Sequence, residues 1–71
     1  MAYLRKNNPP RPMTRGRAII EARIRLGNGG AVHCEPNLFC IGLDNGGGFI
    51  PLVKSTVGWE DCLAQLDHST P

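Results

Sequence analysis

Aromatic side chains are scarce in this sequence. Tyr3, Phe39, Phe49 and Trp59 are the four present in 71 residues, too few to supply both a core and a platform on which the bases of a single strand could stack. No apolar run approaches the roughly 18–20 residues of a membrane span. The opening Met1-Ala2-Tyr3-Leu4-Arg5-Lys6 has no apolar stretch of signal-peptide type, so a cytoplasmic protein with no membrane role is expected. The cysteines, Cys34, Cys40 and Cys62, are an odd number with no tight spacing. That excludes a disulfide framework and favours reduced thiols packed as small hydrophobes.

The residues of catalytic chemistry are equally thin. The nearest thiols, Cys34 and Cys40, are too far apart for the Cys-x2–4-Cys knuckle of structural zinc sites. His33 and Cys34 are adjacent, so on a strand they point to opposite faces and form neither a nucleophile–base pair nor a ligand pair. His68 suits the end of a helix. Glu60 and Asp61 belong at a helix start, where carboxylates meet the positive end of the dipole. Gly46-Gly47-Gly48 lacks the Lys-Ser/Thr of a phosphate-binding loop and precedes a strand. A chain this short seldom builds a concave pocket. No enzyme, catalytic residue, metal, cofactor or small-molecule substrate is therefore expected.

What the sequence does have is an uneven charge. Eight Lys and Arg stand against six Asp and Glu, a formal +2. Residues 1–26 hold Arg5, Lys6, Arg11, Arg15, Arg17, Arg23 and Arg25 against Glu21 alone, a net of +6. Residues 27–71 hold Lys54 against five carboxylates, a net of −4. Such a split suggests a polyanion partner or self-association.

Residues 1–16 read as a flexible, basic, Pro-rich tail, because Pro9, Pro10 and Pro12 break any helix and favour extended backbone. Residues 17–68 read as one small α+β domain. Ala18, Ile20, Ala22, Ile24 and Leu26 alternate with charged neighbours, which predicts a half-buried strand over 17–26. A helix capped by Thr14 and ended by Gly27 is the rival, with a poorer stripe of Ile19, Ala22, Arg23 and Leu26. Asn28-Gly29 then marks a tight turn. Strands are expected over 31–35, 38–43 and 49–54, joined by turns at Pro36-Asn37 and Asp44–Gly48. Phe39, Ile41 and Leu43 share one face of their strand, while Leu38, Cys40 and Gly42 make the other face apolar too, the mark of a central strand or one covered twice. Pro51 places the last strand at an edge or on a bulge. Trp59, Cys62, Leu63 and Leu66 form one apolar helical stripe, with Ser55, Thr56 or Gly58 as its N-cap. The expected fold is a three- or four-stranded antiparallel meander with one C-terminal helix laid across one face and a disordered basic N-terminal tail.

Arg15-Gly16-Arg17 resembles the Arg-Gly-Arg centre of an AT-hook, with Thr14 and Ala18 where that motif carries prolines. The resemblance covers three residues and implies insertion into the minor groove of A·T-rich DNA. Independently of it, an extended arm bearing Arg5, Lys6, Arg11, Arg15 and Arg17 would gain from counterion release on DNA or RNA. Arg17, Arg23 and Arg25 would continue that surface along the wet face of the first strand. The function expected is a small non-enzymatic binding protein that uses these seven cations on nucleic acid. The competing expectation is a protein-interaction module or homodimeric subunit with no nucleic-acid role. A core of this size and a strand apolar on both faces favour a dimer.

Overall fold

A computed structural model of the chain describes residues 12–69. The element order is α1 (Arg15–Leu26), β1 (Gly30–Glu35), β2 (Leu38–Asp44), β3 (Phe49–Ser55) and α2 (Trp59–Ser69). The strands form one antiparallel sheet in the order β1-β2-β3, so the α+β meander with a C-terminal helix is as expected, in its three-stranded form.

The expected strand over 17–26 is instead a helix, and the expected Asn28-Gly29 hairpin is the connection from that helix to β1. Ala, Arg, Glu and Leu, which fill most of the segment, are among the strongest helix formers. Thr14 is the N-cap, its hydroxyl accepting from Arg17 N at 3.2 Å, and its carbonyl accepts from Ala18 N at 3.0 Å. At the other end Gly27, at φ 88°, donates to the Arg23 carbonyl at 2.9 Å. Glu21 pairs with Arg17 one turn before it and Arg25 one turn after it. Pairs at this spacing support a helix modestly. Arg15 and Gly16 therefore belong to α1 and not to a tail. Met13, whose N donates to Glu60 Oε2 at 2.8 Å, and Thr14 are likewise held by the fold, and residues 1–11 of the expected tail lie outside the described residues.

The sheet follows the turn chemistry. Pro36 and Asn37 join β1 to β2, with Asn37 at a positive φ of 65°, as the second centre of a type II turn requires. Pairing runs from Gly30↔Leu43 to Glu35↔Leu38 on one side of β2, and from Phe39↔Ser55 to Asp44↔Phe49 on the other. Pro51 satisfies both expectations held for it. It lies on an edge strand, and the register shifts there, with Val53 opposite Ile41 and Pro51 opposite Gly42, leaving Leu52 without a partner. The bulge presses β3 towards β2, so that a Cβ at position 42 would collide with the Ile50 carbonyl oxygen. Only glycine fits.

Both helices cover one face of the sheet. Val32, Ile41 and Val53 meet Ala18 and Ala22 of α1 and Trp59, Cys62, Leu63 and Leu66 of α2, with Met13, Ile19, Leu26 and Phe39 packed at the margin. Phe39 meets Trp59 edge-on, ring centres 4.8 Å apart. The stripe expected for α2 is thus the stripe buried. Gly58 takes the N-cap position, its carbonyl accepting from Cys62 N, while the Ser55 hydroxyl accepts from Val57 N and Gly58 N. α1 approaches so closely that a Cβ on Gly30 would lie 2.8 Å from the Ala22 backbone. Among the described residues, no helix is long and apolar enough to cross a membrane.

Candidate nucleic-acid interface

The four described arginines of the expected binding set all lie on α1, and the helix disperses them. Successive residues turn about 100°, so Arg15 and Arg17 diverge by about 200° round the axis. The Arg-Gly-Arg resemblance to an AT-hook is therefore not matched by an extended backbone, since these residues form a first helical turn. Nor do Arg17, Arg23 and Arg25 share a strand face. Arg5, Lys6 and Arg11 lie outside the described residues.

Their electrostatic surroundings also differ. Arg25 crosses to α2, where its Nε donates to Asp67 Oδ1 at 2.7 Å and its Nη2 to Asp67 Oδ2 at 3.1 Å, while Nη1 meets Glu21 Oε1 at 2.8 Å. Such a two-pronged pair is the strong form of an ion pair. Its hydrogen bonds hold the Asp67 and Glu21 carboxyls below their usual range and raise the Arg25 guanidinium further. Arg17 shares Glu21 at 2.9 Å. Arg23 donates to a carbonyl, Gly30 O at 3.2 Å, and no carboxylate pairs with Arg15 or Arg23 among the described residues. Arg15 and Arg23 lie two helical turns apart on one ridge with Ile19 between them, roughly 12 Å along the axis. Beside that ridge Ile20 and Ile24 face outward, 52% and 70% exposed.

The second feature of the surface is the sheet face opposite the helices. His33, Glu35, Leu38, Cys40, Phe49, Pro51 and Lys54 line an open concavity of about 410 Å³ there. Leu38, Cys40 and Phe49 form its apolar middle. His33 Nε2 lies 3.1 Å from Glu35 Oε2, and its ring leans on Phe49 with centres 5.7 Å apart. The sequence names no site residue on this surface, although the apolar second side of β2 is the feature from which a dimer is expected.

The thiols are separated by the fold. Cys34 is exposed, Cys40 sits under the open face, and Cys62 lies on the buried side of α2. Cys62 donates to the Phe39 carbonyl at 3.3 Å, and burial, with Cys40 and Asp61 adding, pushes its thiol up to about 11. A protonated, buried thiol is a core side chain, not a nucleophile. Among the described residues, no three potential metal ligands gather. Comparison of the chain with protein-family models, curated proteins and solved structures finds no match.

Proposed function

We propose that this is a small, cytoplasmic, non-enzymatic protein that binds the phosphate backbone of DNA or RNA. The observation that supports this reading is the division of the α1 arginines. Glu21 and Asp67 neutralise Arg17 and Arg25 within the fold, whereas Arg15 and Arg23 stand on one ridge with no carboxylate opposite them among the described residues. Arg23 gains a carbonyl contact in the fold but no counter-charge, and a polyanion would supply one to both guanidiniums. Arg5, Lys6 and Arg11 precede this helix in the chain and add three cations to the expected set. Contacts of this kind are sequence-independent and depend steeply on salt.

Fluorescence anisotropy with a labelled duplex and a labelled single strand, across a salt series, tests the reading. The expected result is binding that weakens linearly in log–log form as salt rises. Substituting Arg15 and Arg23 together by Gln should reduce the slope by about 2, whereas Arg25→Gln leaves it unchanged. Absence of binding to either probe at low salt would overturn the proposal.

A further inference from the structure

The open face of the sheet is apolar in the middle and carries charge of both signs at its margins. Alternation and register place Ala31, His33 and Glu35 of β1, Leu38, Cys40, Gly42 and Asp44 of β2, and Phe49, Pro51 and Lys54 of β3 on this side, with Asp44 at the far end of β2, its carboxylate accepting from Gly46 N at 3.0 Å within the turn. Glu35 and Lys54 sit near the same end of the face but on opposite edge strands, because Glu35 pairs with Leu38 and Lys54 with Cys40. No carboxylate pairs with Lys54 among the described residues. A polyanion would meet Glu35 here, so the nucleic-acid reading does not account for the face.

We infer that this face binds a second copy of the same chain, sheet against sheet, about a twofold axis running along β2. The charges at the Glu35 and Lys54 end of the face favour this axis, while sheet twist splays the Asp44 ends of the two central strands apart. Rotation about a line parallel to the strands lays β1 of one copy over β3 of the other, which brings Lys54 above the partner copy's His33–Glu35 pair, twice by symmetry. Rotation about a line across the strands would instead lay β3 over β3 and β1 over β1, keeping each Lys54 on the opposite edge from Glu35. The chosen arrangement stacks Leu38 and Cys40 on their own counterparts at the axis. Aligned packing of two twisted sheets is a common solution, and an apolar centre with a charged rim is ordinary interface anatomy. Three strands about 4.8 Å apart make a small patch, so the association belongs to the weak, micromolar class.

Sedimentation equilibrium of the full chain from about 5 to 500 µM tests the inference. The mass should rise from one chain towards two. E35K and K54E should each weaken association about tenfold or more, since each alone places like charges in both contacts. An equimolar mixture of the two variants should recover the wild-type affinity, because E35K then presents a cation at both positions and K54E a carboxylate at both. Circular dichroism checks that both variants keep the fold. A wild-type chain that stays monomeric across the whole concentration range overturns the inference. So does association that survives both charge reversals, or association abolished by Ile24→Glu and untouched by K54E, which would move the interface to α1. None of these outcomes bears on nucleic-acid affinity, so the two proposals stand or fall separately.

Discussion

α1 and α2 are 12 and 11 residues long and lie on the same face of the same sheet. α2 buries its largest side chains, Trp59, Leu63 and Leu66, and leaves small or polar ones outward. α1 does the reverse. Its fully buried residues are Ala18 and Ala22, while Ile20 and Ile24 face solvent. The reason is distance. α2 spans a gap that large side chains fill, whereas α1 lies almost in backbone contact with β1 at Gly30, where only small residues fit. One helix is held by apolar area removed from water. The other is held by close approach, by the Arg23 bond to Gly30 and by the Arg25 clamp on Asp67.

The contrast can be broken in order of expected effect. Leu63→Ala should cost about 2–5 kcal/mol in urea unfolding. Ile24→Ala removes as much apolar bulk from α1, yet should stay within about 0.5 kcal/mol. Equal losses would mean that α1 is covered on both sides. Ala22→Leu comes next. It adds apolar surface yet should destabilise by about 1–3 kcal/mol, because the close contact with Gly30 has no room for it. The smallest effect concerns the clamp. Asp67 and Glu21 have depressed pKa values in the fold, so their contribution is complete above the ordinary carboxylate range and is lost as pH falls through the folded values. Asp67→Asn should therefore lower Tm at neutral pH, and the gap from wild type should close on acidification. A gap that stayed constant as pH fell would show that the loss does not come from the ion pair.

The same inversion explains what the sequence hides. The sheet, its turns and α2 are legible because Pro36-Asn37, the Asp44–Gly48 run and the Trp59–Leu66 stripe each point to one structure. In 17–26 the alternating set Ala18, Ile20, Ala22, Ile24 and Leu26 imitates a strand face. In the fold it mixes two alanines that are buried with two isoleucines that are not. The caps Thr14 and Gly27 point the other way, and helix propensity with them. The basic residues are legible as residues but not as a surface, since their partners Glu21 and Asp67 are set by helix geometry and by a tertiary contact. The open sheet face is obscured by the bulge. Uninterrupted alternation in β3 would put Phe49, Pro51 and Val53 on one side, whereas the register shift sends Val53 to the core and Phe49 and Pro51 to the opposite face.

That bulge couples two positions that are ten residues apart. Leu52 has no partner on β2, and its presence is what drives the Ile50 carbonyl onto Gly42. A chain lacking residue 52 would keep every pairing on both sides of the gap, since Val53 already faces Ile41 and Pro51 already faces Gly42. The strand would run straight, and position 42 would be free to carry a methyl group. Length in one strand and side-chain identity in its neighbour are therefore a single heritable choice: keep the extra residue and the glycine together, or surrender both.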